Sequence, residues 1–291
     1  MSEIEKSLKQ RGHEVIKEGV LRDLLLPRTN DAVIVQSFKE ILYRMMSSDG
    51  LRKSIRNWAY GGTVHEEHEK RINAYSTLCL ALSDRSEGKF IDKQRQGLYA
   101  ASFEWYISEL FKREFGARSS GHGIRLWDAD PRDEFDCIAL LDKGLAYVEC
   151  KTGKGHIYEE METFARRDEE ISANYSIYLF DRDYTFQKGP EDLPTLTASQ
   201  AERLNVDKIE KISNNYVSFF IIEASARSFI ASTSFDGLED RIRHVIRYYD
   251  ILADAASGGD DEPGERLARS YKITPINFDS PASSPESTKQ G

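Results

Sequence analysis

The sequence predicts a mixed α/β (α+β) protein, in which a central mixed β-sheet is flanked by helices and preceded by an N-terminal helical region. Three observations support this fold class. Residues 133–153 contain two apolar runs around a short polar turn, which is typical of an antiparallel hairpin. Apolar strand-like and amphipathic helix-like segments alternate on both sides of this hairpin. Residues 1–90 have mainly the three-and-four spacing of helices.

The chain of 291 residues divides into three predicted regions. Residues 1–90 form the helical N-terminal region, either as a small domain or as an elaboration packed on the core that follows. Residues 91–254 form that core. Residues 255–291 are rich in Gly, Pro, Ser, Asp and Glu, which predicts a largely disordered tail.

The core region alternates between helices and strands in the order α-β-β-β-α-β, followed by a final helix. A connection with a helix near 198–212 separates the last two strands. The segments of the main pattern are a helix at 97–111, a strand near 124–127, the hairpin at 133–153, a helix at 157–171, strands at 175–181 and 216–223, and a helix at 236–252.

The polar residues of the hairpin gather at one end. Asp136 opens the first strand, whereas Glu149 and Lys151 close the second. Since alternate residues of a strand share a face, Glu149 and Lys151 point the same way. A loop at 142–143 would place Asp136 opposite Glu149, and a loop at 143–144 would place it opposite Lys151. Either register brings the three side chains into one cluster.

This cluster is costly to bury, because two acids and one lysine end an otherwise apolar hairpin. A divalent cation would lower that cost, and paired carboxylate oxygens suit Mg²⁺. A third acid is expected to join them. Glu104 lies on the apolar stripe of the helix at 97–111, where it needs a partner, and the hairpin cluster is a candidate.

These residues resemble the PD-(D/E)XK nuclease superfamily, which has the restriction-endonuclease-like fold. The match consists of Asp136, the Glu149-Cys150-Lys151 run thirteen positions later, and the preceding helix with Glu104. It covers residues 93–185 and extends at most to 252. Phe135 stands where the signature has proline. The local sequence is similar to nuclease domains of bacterial restriction and antiviral-defence effectors.

The resemblance implies an endonuclease that requires Mg²⁺ (or Mn²⁺). Asp136, Glu149 and the backbone carbonyl of Cys150 would hold the ion, with Glu104 as a direct or water-mediated ligand. The ion would polarise the scissile phosphate and lower the pKa of a bound water. Lys151 would orient or deprotonate that water, or stabilise charge on the phosphate. These four side chains are therefore the predicted catalytic residues.

Several basic residues are candidates for nucleic-acid binding, although such a group is more often an ordinary solvated face. One group stands beside two aromatic residues that could stack on bases. The other follows the hairpin, where superfamily members often place polar groups that face the substrate. The candidates are Arg52, Lys53 and Arg56 before Trp58 and Tyr60, and Lys154, Arg166 and Arg167 after the hairpin.

The composition and net charge of the chain bear on its binding partners and its cellular location. The net charge is −9, from 40 basic and 49 acidic residues, which is unusual for a protein that binds DNA tightly by itself. A partner protein could supply substrate binding. No apolar run approaches a membrane span, and the N-terminus lacks a signal-peptide pattern. The three cysteines have no metal or disulfide spacing. A cytoplasmic location without membrane attachment is expected.

The predicted function is a nuclease that cuts DNA more readily than RNA, as an effector of bacterial antiviral defence or restriction. A sensor or ATPase partner and a homodimer are further expectations. Two alternatives stay open from the sequence. One is a repair or recombination nuclease. The other is a non-catalytic nucleic-acid-binding or scaffold subunit that retains the fold.

Overall fold

A computed structural model describes most of the chain up to residue 257 and one short segment beyond it. The described residues are 2–19, 32–82, 92–127, 134–152, 157–181, 206–211, 217–222, 225–231, 237–257 and 274–275. Within them, no helix is long and apolar enough to cross a membrane.

The described residues form α-helices and β-strands. The helices are α1 (Glu3–Gln10), α2 (Ala32–Ser47), α3 (Asp49–Ala59), α4 (Glu69–Leu82), α5 (Asp92–Glu114), α6 (Ile157–Ile171) and α7 (Leu238–Ser257). The strands are β1 (Val15–Gly19), β2 (Ser119–Leu126), β3 (Phe135–Leu141), β4 (Gly144–Lys151), β5 (Tyr175–Phe180), β6 (Val206–Lys211), β7 (Val217–Ile222), β8 (Ser225–Ala231) and β9 (Thr274–Pro275).

The strands of the described residues form one mixed sheet in the order β1-β2-β3-β4-β5-β8-β7-β6-β9. The neighbours β4 and β5, and β5 and β8, are parallel, whereas the other pairs are antiparallel. The predicted fold class is confirmed, because a mixed sheet is flanked by helices that include N-terminal ones. The predicted order α-β-β-β-α-β is observed from α5 to β5.

Two apolar cores cover the two faces of this sheet. The first core joins α2, α3, α4, α5 and α7 to sheet residues that include Val148 and Cys150. The second core joins α1 and α6 to sheet residues that include Leu145 and Tyr147. Successive residues of β4 thus serve different cores, as the two-residue period of a strand requires. The N-terminal helices α2 to α4 share the first core with α5, and α2 and α3 pack directly on that helix rather than around a core of their own.

The hairpin of β3 and β4 has the loop at 142–143. Leu141 pairs with Gly144, and Cys137 pairs with Val148. Continuing this register places Asp136 opposite Glu149, which is the first of the two predicted alternatives. Gly144 has a φ of 145°, and a Cβ there would lie 2.1 Å from the Asn174 side-chain oxygen. A larger residue at this position would therefore be strained and would clash.

The structure corrects the prediction of a helix near 198–212. Residues 206–211 form β6, which pairs antiparallel with β7, whereas residues 198–205 lie outside the described residues. Val206 and Ile209 stand three apart, a spacing compatible with a helix, but the ladder along the apolar β7 decides the conformation.

The sequence analysis also did not predict β1 and β8. The first adds to the edge of the sheet beside β2, and the second lies between β5 and β7. The predicted disordered tail, residues 255–291, lies mostly outside the described residues. Its first residues continue α7 to Ser257, and Thr274–Pro275 form β9 beside β6.

A buried ionic network ties α3 to the end of β5. Arg52 is 1% exposed and Asp181 is fully buried. The Arg52 Nε donates to Asp181 Oδ1 at 3.2 Å, and its Nη1 donates to the Met46 carbonyl at 2.9 Å. Tyr99 of α5 donates its hydroxyl to the other Asp181 oxygen. Burial lowers the pKa of Arg52, but the charges of Asp181 and Asp49 outweigh burial and raise it. The guanidinium therefore stays charged inside the protein.

We expect Arg52→Ala to reduce the free energy of unfolding by about 3–5 kcal/mol, because it leaves the Asp181 carboxylate buried without its cation. Urea denaturation of the full chain measures this loss. Lys53→Ala is the matched control on the same helix, since Lys53 is only partly buried and an exposed charge contributes about 1 kcal/mol or less. Equal, small losses in both variants would contradict the assignment of Arg52 to a structural network.

Candidate active site

Glu149 is the most deeply buried acid of the hairpin, with 1% of its side chain exposed at the end of β4. Three neighbouring groups compensate its charge. Lys151 places Nζ 2.8 Å from Glu149 Oε1. Arg167 Nη1 donates to both carboxylate oxygens, at 3.1 Å and 3.0 Å, and the Tyr147 hydroxyl donates to Oε2. The side chain of Glu149 is therefore held by two basic side chains and a phenol.

Asp136 approaches the same strand from β3. The backbone N–H of Cys150 donates to Asp136 Oδ2 at 2.8 Å. Burial, followed by the charge of Glu149, raises the pKa of Asp136 from its ordinary 3.8 to about 8, although Lys151 and the Cys150 hydrogen bond act in the opposite direction. The surroundings of Asp136 therefore favour its protonated form over its carboxylate.

Glu104 enters the electrostatics of this cluster from α5. Burial and then the charges of Asp136, Glu134 and Glu149 hold its pKa well above the ordinary value. Among the described residues, however, no group of three or more His, Cys, Asp or Glu side chains is arranged to hold a metal ion. Both predicted roles of Glu104, as a direct ligand and as a water-mediated one, stay predictions.

The backbone around Lys151 is fixed by elements from outside the hairpin. Strands β4 and β5 run parallel, and Lys151 pairs with Phe180 at their carboxyl ends. The N–H of Asp181 donates to the Lys151 carbonyl at 2.9 Å. The hydroxyl of Tyr60, just after α3, is 2.7 Å from Thr152 Oγ1. The network that ties α3 to β5 therefore also contacts the segment that carries the lysine.

The donor atoms at this strand end are of the type that a hard divalent cation binds. Asp136 and Glu149 provide carboxylate oxygens, which Mg²⁺ and Mn²⁺ prefer. Burial raises the pKa of Asp136 and Glu104, and added positive charge would act in the opposite direction. The backbone carbonyl of Cys150 belongs to the same strand end, so it stays a predicted ligand.

Two arginines that were predicted to contact nucleic acid are buried in the structure. Arg52 is buried in the network with Asp181, and Arg56, 7% exposed, donates to the Asp181 carbonyl at 2.7 Å. Both arginines hold α3 against the sheet instead of facing a substrate, so these two predictions were wrong. Lys53 is partly buried on the same helix, and its role in binding stays a prediction.

The basic residues after the hairpin differ from one another. Arg166 is exposed and lies 3.8 Å from Glu170 on its own helix. Arg167 turns toward Glu149 instead, and its side chain is 11% exposed. Lys154 lies outside the described residues. Thus Arg166 keeps its predicted place on the surface, whereas Arg167 belongs to the acid cluster.

Sequence reasoning missed Tyr147 and Asp181 as residues of this site. Tyr147 stands two positions before Glu149, so strand parity alone places it on the same face and could have identified it. Asp181 follows directly after β5, and the carboxyl ends of neighbouring parallel strands meet at one edge of a sheet. The position of Arg167 had no comparable signal, because it depends on how α6 rotates over the sheet. Cys137 and Cys150 are both buried.

We expect Asp136→Asn to stabilise the metal-free protein at alkaline pH. The pKa of Asp136 is higher in the folded state than in the unfolded chain, so the folded state binds the extra proton and wild-type stability falls between about pH 4 and pH 8. Asparagine cannot ionise and still accepts a hydrogen bond. Melting temperatures in EDTA should therefore agree near the acidic end and separate by a few degrees near the alkaline end.

Asp142→Asn is the matched control for this pH series, because Asp142 is an exposed acid in the turn of the same hairpin. Its melting curve should follow the wild type at each pH. A constant offset between Asp136→Asn and wild type over the whole range would show that Asp136 is not held protonated by its surroundings.

No family model and no curated protein matches this chain. Similar solved structures include Can2 from Sulfobacillus thermosulfidooxidans in complex with cyclic tetra-adenylate, with 15% identity over 84% of this chain and a TM-score of 0.40. Another is protein VC1899 from Vibrio cholerae, with 11% identity over 85% of this chain and a TM-score of 0.38. The match spans 60% of the length of each of those chains. Both likenesses are too weak to extend either protein's properties to this one.

Proposed function

We propose that this protein is a Mg²⁺-dependent (or Mn²⁺-dependent) nuclease that hydrolyses phosphodiester bonds at the carboxyl end of β4. One observation carries the proposal. A buried glutamate with a lysine 2.8 Å away lies opposite an aspartate whose pKa burial raises to about 8. Acids with strongly perturbed pKa values, grouped with a specific charged partner, are typical of catalytic sites.

Each residue has a role in the proposed mechanism. When bound, the metal would act as a Lewis acid on phosphate and activate a water. Asp136, Glu149 and the Cys150 carbonyl would hold it, with Glu104 as a direct or water-mediated ligand. Lys151 would orient the attacking water and stabilise charge that develops on the phosphate.

The substrate class in this proposal is DNA in preference to RNA, and the setting is bacterial antiviral defence or restriction. The substrate class and the setting are both inferred from the superfamily resemblance. Neither rests on a contact that distinguishes one base from another. The net charge is −9, and the burial of Arg52 and Arg56 leaves two of the predicted basic contacts inaccessible to a polyanion. We therefore propose that a partner, such as a sensor or ATPase subunit, supplies part of the substrate binding.

A non-catalytic scaffold is the second candidate, and one observation favours it. The carboxylate of Glu149 already accepts hydrogen bonds from Arg167 and Tyr147 and pairs with Lys151. A site that is neutralised by its own side chains can persist without a metal. Measurements of metal binding and of cleavage distinguish a scaffold from a nuclease.

We expect Lys151→Ala to reduce cleavage by at least about 100-fold while metal binding persists, because lysine acts on the water and phosphate and is not a ligand. Glu149→Gln should lose both properties. Cleavage of plasmid, linear duplex, single-stranded DNA and RNA with Mg²⁺ or Mn²⁺ measures activity, and calorimetric titration with Mn²⁺ measures binding.

Lys143→Ala is the matched control, since Lys143 lies in the turn of the same hairpin, far along the strand from Glu149. It should cleave like wild type. Wild-type cleavage by Lys151→Ala would overturn the site assignment. Absence of both Mn²⁺ binding and cleavage in the wild type would favour the scaffold.

A further inference from the structure

Arg167 occupies the carboxylate that the proposed metal would need. Its Nη1 lies 3.1 Å from Glu149 Oε1 and 3.0 Å from Oε2, so one N–H-bearing nitrogen bridges both oxygens. The side chain is 11% exposed and the carboxylate 1% exposed. Water can therefore do little to screen this pair, and the contact is stronger than a surface ion pair.

The charges around Glu149 indicate that Arg167 compensates its carboxylate. Burial lowers the pKa of Arg167, but Glu149 and the Tyr147 hydroxyl outweigh burial and raise it. The guanidinium thus stays ionised, as a counter-ion should. Without it, Lys151 would be the one basic side chain left on Glu149 among the described residues, and an undercompensated buried carboxylate is costly.

We propose that Arg167 is the resident counter-ion of Glu149 and that a divalent cation must displace it to bind. This proposal rests on the proposed function. Arg167 would stabilise the metal-free fold and weaken metal affinity by the strength of its contact with Glu149. A cation and a guanidinium cannot both take the same carboxylate lone pairs at full strength, since a metal ligand must face the ion directly.

Geometry separates this role from a general effect of positive charge. Arg166 precedes Arg167 on α6, carries the same group and is more than half exposed, with Glu170 at 3.8 Å. It is the matched control, because removing it changes net charge and helix composition equally but leaves the Glu149 contact in place.

The test is a Mn²⁺ titration of the full chain by calorimetry, with melting temperature as a second readout. We expect Arg167→Gln to bind Mn²⁺ about tenfold more tightly than wild type, because a charged hydrogen bond that competes with the ion is lost. Without metal it should melt lower than wild type, and Mn²⁺ should raise its melting temperature by a larger increment. Arg166→Gln should match wild type in both measurements.

Arg167→Lys keeps the positive charge and serves as a second variant if Arg167→Gln does not fold. It should bind Mn²⁺ with an affinity between those of wild type and Arg167→Gln. Unchanged or weaker Mn²⁺ binding in Arg167→Gln, with a wild type that binds, would overturn this inference and leave the proposed metal site standing. No Mn²⁺ binding by wild type or by any folded variant would instead overturn the metal site itself.

Discussion

The burial of the Glu149 charge is the constraint on which the rest of the site depends. A carboxylate that is 1% exposed can stay in the fold only if positive charge and hydrogen-bond donors surround it. Lys151 and Arg167 supply the charge, and Tyr147 supplies a further donor. The neighbouring Asp136 accepts a hydrogen bond from the Cys150 N–H, but burial and the charge of Glu149 still raise its pKa to about 8. Added positive charge would act against this rise.

The two-sided packing of the sheet explains why this charge is buried at all. Helix α5 and the N-terminal helices cover one face, whereas α1 and α6 cover the other. The end of β4 lies between these layers, so α6 can bring Arg167 to Glu149. On the opposite side, the buried Arg52–Asp181 pair fixes α3 to the end of β5, directly beside the Lys151 backbone. The helical N-terminal region thus contributes to the stability of the site without supplying its acids.

The hairpin and its cluster of polar side chains could be predicted from local sequence patterns, because they depend on the two-residue period of strands and on a short loop. The parity of Asp136, Glu149 and Lys151 placed them in one cluster, and the hairpin has one of the two expected registers. The sequence could not predict contacts between distant segments. Arg52 looks like a surface residue of an amphipathic helix, but its partner Asp181 stands 129 residues later. The same applies to β6, whose polar sequence becomes a strand only beside β7.

The measurement that tests the account most directly is an anomalous diffraction experiment on crystals of this protein grown or soaked with Mn²⁺. The account predicts an anomalous peak between the carboxylates of Asp136 and Glu149, with the Arg167 guanidinium withdrawn from Glu149. A map without a peak at these two acids, or with Arg167 still bridging both Glu149 oxygens beside a metal bound elsewhere, would contradict it.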